Sequence, residues 1–359
     1  MGRLDDLLKD LNKKKKYNFV NIGQSVVKVS KIPFTSLRLN YMTYGGVPRG
    51  KITEFAGVES SGKTTTALDI VKNAQIIFNN EYEERSKESD NKLPRLKVLY
   101  VDCENTLDIT WCKLLGVNTD DLIVMSPQSE YAEEIFQYII DLCESGEIGL
   151  VVLDSLGVMI SQQAFEKDIE QKTYGGIAAS LTLFSKKMVM LCEKYKMTFI
   201  GINQVREDLN ATYGNALITT GGRGWRHNCT LRLMFKKGKY LDSNNIELSN
   251  SKAENPQGNI VEVSIAKTKS CKPDRKLGYY ILNYSKGVDV ISDLIDLSIK
   301  QEIITQKGAW YYFYEEDGTI SKWKDNELSF QGKQRLYSFI QNDQEFTKEL
   351  WNNLSSLYI

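Results

Sequence analysis

The sequence predicts an α/β fold built on a mainly parallel, twisted sheet, and three observations predict it. Short apolar runs at residues 52–56, 98–102, 150–154 and 198–202 alternate with helical segments, the pattern of strands buried on both faces and joined by crossover helices. The first run leads straight into Gly57-Val58-Glu59-Ser60-Ser61-Gly62-Lys63-Thr64, a G-x-x-x-x-G-K-[ST] motif, and a helical pattern over 65–78 follows. That strand–loop–helix setting is the one a phosphate-binding loop requires. The composition, 42% apolar and 26% charged over 359 residues, is that of a globular chain long enough to bury a large core.

Composition also excludes some classes. The six cysteines are scattered, with no C-x-x-C pair, and His227 is the single histidine. A structural zinc site needs clustered ligands, so reduced, mostly buried thiols are expected instead. Apolar runs such as 148–153 are far shorter than a bilayer requires, and the polar first ten residues do not read as a signal peptide. A cytoplasmic chain with no membrane partner is expected. Lys+Arg and Asp+Glu both count 46, so overall charge is silent about nucleic acid. Two local basic runs remain, Lys13 to Lys16 and the stretch holding Lys267, Lys269, Lys272, Arg275 and Lys276.

Along the chain, Leu4, Leu7, Leu8 and Leu11 make one helical stripe that needs a partner surface, in its own domain or on another chain. Residues 79–95 are polar and read as a surface excursion between a helix and a strand. Residues 230–235 and 260–266 alternate in polarity and read as antiparallel additions with one wet face. After about residue 288 a helix over 291–304, a hairpin over 309–323 with Asp317-Gly318 at its turn, and a helical end make a separate C-terminal module.

The chemistry begins at the glycine loop. Its glycines let the backbone wrap a phosphate, the helix N-terminus supplies positive potential, Lys63 reaches the β- and γ-phosphates, and Thr64 ligates Mg²⁺. Such a site needs a carboxylate from a second strand near the metal, and the run 150–154 ends in Asp154 followed by Ser155. A third strand ends in Asp102-Cys103-Glu104, where an unpaired carboxylate can polarise an attacking water.

From residue 32 to the C-terminus these motifs, in this order, resemble the RecA family of recombinases. GVESSGKTT (57–65) is similar to its phosphate loop, VDCENTLD (101–108) to the strand with its catalytic glutamate, and LVVLDS (150–155) to its Mg²⁺-binding strand. GINQVR (201–206) resembles the strand end whose glutamine senses the γ-phosphate, and NALITTGGRGWRH (215–227) the second DNA-binding loop. AKTK (266–269) resembles the family's paired lysines and KGAWYYF (307–313) its C-terminal hairpin. The resemblance implies ATP and Mg²⁺ as cofactors, bound by Gly57, Glu59, Ser60, Ser61, Gly62, Lys63, Thr64, Thr65, Asp154 and Ser155, with Thr64 and Asp154 on the metal. It implies Glu104 as the water-activating base, Gln204 as the γ-phosphate sensor, and Trp111 stacked on adenine where the family usually has tyrosine. Lys267 and Lys269 would reach the nucleotide of a neighbouring subunit.

For DNA it implies two loops, one around 169–175 reaching Gly175 and Gly176, the other from Arg206 to Thr220. Leu209 and Tyr213 would wedge between or stack on bases, and Thr219, Thr220, Gly221, Gly222, Arg206 and Arg226 would hold phosphates. The chain departs from the family at Ala216-Leu217-Ile218, at Ser180 in place of an arginine, and in ending at Ile359 without an acidic tail. The implied organisation is 1–30 docking on the next subunit, 31–288 an ATPase and DNA-binding core, and 289–359 a small α+β domain. The implied function is ATP-dependent strand exchange by a helical filament on single-stranded DNA that pairs with double-stranded DNA. A ring-shaped DNA motor and a recombination accessory protein without strand exchange are the alternatives.

Overall fold

The computed structural model describes residues 29–88, 94–166, 176–207, 217–249 and 253–358, with a few positions between 7 and 13. The leucine stripe falls outside the described residues except for Leu7, which is exposed. Residues 1–30 form one unit and 31–359 another.

The elements of the second unit run β1 (Lys31–Ile32), α1 (Leu37–Thr43), β2 (Val47–Pro48), β3 (Ile52–Gly57), α2 (Lys63–Glu88), β4 (Lys97–Asp102), α3 (Ile109–Leu114), β5 (Leu122–Met125), α4 (Ala132–Glu144), β6 (Ile148–Asp154), α5 (Gln162–Phe165) and α6 (Ala178–Tyr195). Then come β7 (Thr198–Glu207), β8 (Leu217–Thr219), α7 (Gly222–Asn228), β9 (Leu231–Leu241), β10 (Glu247–Leu248), β11 (Gly258–Thr268), β12 (Leu277–Asn283) and β13 (Gly287–Val288). The C-terminal part holds α8 (Val290–Lys300), β14 (Ile304–Lys307), β15 (Trp310–Phe313), β16 (Lys322–Trp323), β17 (Asn326–Glu327), β18 (Ser329–Gln331), α9 (Lys333–Asn342) and α10 (Gln344–Ser356).

The main sheet has the order β13-β12-β11-β9-β3-β7-β6-β4-β5, with β10 on β9 and β8 on β7. Strands β3 and β6 are buried along their whole length, as strands covered on both faces must be. One face packs on α2 through Leu68, Val71 and Phe78. The other packs on α4 and α6 through Ile135, Phe136, Phe184 and Met188, and the Phe136 and Phe184 rings stack at 4.2 Å. No helix among the described residues is long and apolar enough to cross a membrane.

Three expectations are corrected. The segment 230–235 is not antiparallel to the core: β9 runs parallel to β3, with Phe55 opposite Leu233, because α7 carries the chain back across the sheet before β9 starts. Antiparallel pairing begins one strand later, where β11 meets β9 and β12. Much of the polar stretch after residue 79 is not an excursion, since α2 continues to Glu88. Its exposed turns are held by an i,i+4 pair between Glu81 and Arg85 at 3.2 Å and by Arg49 on Glu81. The helix expected over 291–304 stops at Lys300: Glu302 takes a left-handed φ of 60° and β14 begins at Ile304.

The expected hairpin over 309–323 is present, with Tyr314 bridged to Ile320 across a turn at Asp317 and Gly318 (φ 83°). Its first strand, β15, pairs with β14 and β18 as well. A third apolar cluster joins α8, α9, α10, β14 and β15 to Leu37 of α1. Beside it the buried Arg38 guanidinium meets Asp293 at 2.7 Å and Asp296 at 2.9 Å.

Candidate nucleotide and DNA site

Parallel register decides which loops meet. Gly57 lies opposite Gln204, and Asp102 opposite Asp154. The carboxyl ends of β3, β7, β6 and β4 therefore share one edge of the sheet, the crevice where open α/β sheets bind ligands.

The glycine loop is shaped by close contacts. A Cβ on Gly57 would sit 2.4 Å from the Phe235 carbonyl oxygen, and one on Gly62, where φ is 93°, would sit 3.0 Å from Val261, so side chains are excluded at both. The Ser61 hydroxyl donates to the Val58 carbonyl at 2.7 Å. Helix α2 begins at Lys63, so its first-turn amides, which lack helical partners, open toward the loop. The Lys63 ammonium donates to the carbonyls of Gly57 (3.0 Å) and Val58 (2.7 Å). Burial lowers that ammonium from its ordinary value, against the opposing pull of Asp154, Glu104 and Glu59.

Around it the acidic groups are already linked. Thr64 Oγ1 and Tyr100 OH each donate to Asp154 Oδ2 at 2.8 Å. Burial pushes the Asp154 carboxyl up from its ordinary value while these two hydrogen bonds pull it down. Ser155 Oγ donates to Glu104 Oε1 at 2.5 Å, and Gln204 Nε2 reaches the same oxygen at 3.4 Å. A hydroxyl and one carboxylate beside a phosphate cradle are hard oxygen donors of the sort Mg²⁺ takes, since Mg²⁺ keeps several waters and draws its remaining ligands from phosphates.

Trp111 on α3 lines a cleft of about 300 Å³ together with residues 60–65 of the loop. Lys237, Asn259, Leu282 and Tyr284 complete the lining, and Tyr284 OH donates to Asn259 Oδ1 at 2.9 Å. Sequence reasoning missed these and Tyr100. The signal available for Tyr100 was one phenol in an otherwise aliphatic strand; the others lie far along the chain with no motif. Replacing Trp111 by Ala is expected to weaken ATP binding about tenfold, and other purine nucleotides alike, because a stacking ring is tolerant of base substituents. Titration with a fluorescent nucleotide reads this, and unchanged affinity would remove Trp111 from the base site.

The second loop is stemmed by a ladder. β7 continues past Gln204, and Val205 pairs with Thr219 and Arg206 with Ile218 of β8. Leu209, Tyr213, Gly175 and the first loop over 169–175 lie outside the described residues. Gly176, just after that loop, has φ 46° and open space around it. Thr219, Thr220, Gly221 (φ 98°) and Gly222 (φ 71°) lead into α7. A Cβ on Gly221 would meet Leu181 at 2.4 Å, so α7 is pressed onto α6. Arg226 folds back to the Gly222 carbonyl at 3.2 Å, Arg206 is exposed, and the Ser180 hydroxyl stays on its own helix, donating to the Ile177 carbonyl at 3.1 Å.

The two lysines sit elsewhere. Lys267 donates to the carbonyls of Arg226 (2.6 Å) and His227 (2.8 Å), and Lys269 to that of His227 (3.2 Å), capping the C-terminal end of α7. Burial, with Lys269 alongside, lowers the Lys267 ammonium from its ordinary value. Lys267 pairs with Arg232, and Arg232 with Glu54. That is three residues, about 10 Å, short of Gly57 along the strand, toward the opposite edge of the sheet. Thr64, Asp154, Ser155, Glu104, Gln204 and Trp111 gather at the glycine loop; these two lysines do not.

The RecA N-terminal domain family matches residues 3–289 of the chain. A RecA protein of Fusobacterium nucleatum is 30% identical over 82% of this chain and 70% of its own length. One of Treponema pallidum is 33% identical over 80% of this chain and 63% of its own, and one of Campylobacter jejuni is 29% identical over 97% and 91%. A solved structure described as the RadB recombinase aligns with a TM-score of 0.47 at 20% identity, covering 70% of this chain and 95% of that one. The glycine loop, Asp154, Glu104 and the sheet that carries them all fall inside the matched segment, and the chain belongs to the RecA family.

Proposed function

We propose that the chain is a DNA-dependent ATPase that performs strand exchange in the cytoplasm. It forms a helical filament on single-stranded DNA and pairs that strand with a matching duplex. The observation that carries the reading is the placement of Gln204. Its amide touches Glu104 at the nucleotide end, and the next residue, Val205, is paired to Thr219 at the exit of the second DNA loop. A change at the γ-phosphate is thus one residue from the loop ladder.

In this reading residues 57–65 cradle the phosphates of ATP, Trp111 stacks on the base, and Glu104 takes the proton of the attacking water. Bound Mg²⁺, on Thr64 and Asp154, would offset charge on the β- and γ-oxygens. Lys267 and Lys269, directed away from their own loop, serve the nucleotide of the next subunit. Residues 1–30 dock subunits together, 31–288 form the core and 289–359 an accessory domain. Arg206, Leu209, Tyr213, Thr219, Thr220, Gly221, Gly222, Arg226, Gly175 and Gly176 contact DNA through backbone and stacking, so that sequence is read by base pairing alone.

The test is strand exchange between circular single-stranded DNA and a homologous linear duplex, with ATP and Mg²⁺. Joint molecules are expected. Single-strand binding is expected to be indifferent to sequence and to weaken as a power of salt concentration. Closed six-subunit rings without exchange would instead favour a motor, and orders-of-magnitude preference among strands of like composition would mean a sequence reader.

A further inference from the structure

Glu54 lies inside β3, three residues before the glycine loop, and is fully buried. Its neighbours Ile52, Phe55 and Ala56 are core residues. Strand stability alone asks for no carboxylate there, since a well-packed apolar side chain in place of a buried ionic network is commonly neutral or better. Three donors from three elements meet it. Asn203 Nδ2 of β7 (2.8 Å) and the Trp225 indole Nε1 of α7 (2.7 Å) donate to Oε1, and the Arg232 guanidinium of β9 donates to Oε2.

Two of these donors continue to the exit of the second loop. Asn203 Nδ2 also donates to the Thr220 carbonyl at 2.9 Å, and Arg232 Nη2 to Thr219 Oγ1 at 3.2 Å. The third anchors the helix that starts at Gly222. Chemistry fixes the Asn203 amide: the Glu54 carboxylate and the Thr220 carbonyl are both acceptors, so only its nitrogen can face them. Its Oδ1 is left buried without a hydrogen-bond partner, so this contact is kept although one acceptor goes unsatisfied. Asn203 and Gln204 are consecutive on a strand and point to opposite faces. Gln204 meets Glu104 at the nucleotide, while Asn203 meets Glu54 beneath the loop.

We infer that Glu54 is a positioning residue that ties the exit of the second DNA loop to the strand carrying the glycine loop, and so sets how strongly DNA raises ATP turnover. The inference rests on the function proposed above. It gives the DNA loop a second mechanical link to the nucleotide, through β3, beside the one through Gln204. A hydrogen-bonded chain of this kind transmits a shift of Thr219 and Thr220 because its members have few alternative partners in the core.

Glu54→Gln tests it. The amide fills the same space but carries no charge and presents an N–H where three donors converge, so at least one donor loses its acceptor. ATP affinity and DNA-independent turnover are expected to stay within about twofold of the native chain, while stimulation by poly-dT falls about tenfold. Arg232→Lys, which keeps the ion pair but not the reach to Thr219, is expected to lower stimulation less, with the same split. It decides the matter should Glu54→Gln fail to fold by thermal melting. Undiminished stimulation overturns the inference. So does a loss of ATP affinity and basal turnover in proportion to the loss of stimulation, which marks a residue that only supports the fold. Absence of DNA stimulation in the native chain would overturn the proposed function itself, a result separable from either.

Discussion

Glu104→Gln is expected to leave ATP binding unchanged and to cut turnover by about two to four powers of ten, the range spanned by removing a positioned general base. The groups proposed to hold the phosphates and metal are elsewhere: Lys63 is anchored to the loop carbonyls, and Asp154 to Thr64 and Tyr100. Glu104 makes no hydrogen bond to Lys63, Thr64 or Asp154; it accepts from Ser155 and Gln204. A glutamine side chain can still accept from both through its carbonyl oxygen, so the geometry is kept while the basic lone pair is lost. Fluorescent-nucleotide titration should therefore return the native affinity while steady-state DNA-dependent hydrolysis collapses. Filaments seen by electron microscopy should persist long after ATP is added, because the step that releases them is blocked. Turnover within a few-fold of native would reduce Glu104 to a strut between Ser155 and Gln204.

How much of the site was legible in the sequence depended on how local each signal is. The glycine loop is contiguous and its chemistry fixes its residues, so Lys63 and Thr64 could be placed from the motif. Asp154 and Glu104 were legible as strand ends in a parallel pattern, because parallel strands bring like ends to one edge. Lys237, Asn259 and Tyr284 were not, since each lies far along the chain and reaches the site only through strand register, while Tyr100 offered only a phenol in an aliphatic strand beside the glutamate motif. The Glu54 network is hidden for the same reason, for its donors lie 149 to 178 residues away. Direction was misjudged for β9, because alternating polarity reports a wet face and says nothing of which way the strand runs. The polar end of α2 was missed because an i,i+4 ion pair and Arg49 on Glu81, and not an apolar stripe, hold it.

The second large effect separates a shared active site from a self-contained one. Lys267 and Lys269 cap α7 at the level where β3 begins, while the glycine loop lies where β3 ends. If they act on ATP, they act on that of another copy. Glu104→Ala, and the double change Lys267→Ala with Lys269→Ala, should then each be nearly inactive alone. A head-to-tail interface joins two different surfaces, so a site made by a Glu104-intact subunit and a lysine-intact neighbour is complete. In an equal, randomly assembled mixture each condition holds half the time, and about a quarter of interfaces meet both. DNA-dependent hydrolysis should recover to about a quarter of native, given independent sites. Because the lysines also cap α7, each variant must first be seen to form filaments by electron microscopy and to melt as the native chain does. Well-mixed filaments that show no recovery would mean that the lysines hold α7 and do nothing for catalysis, or serve their own subunit after a rearrangement that lifts them off the helix end.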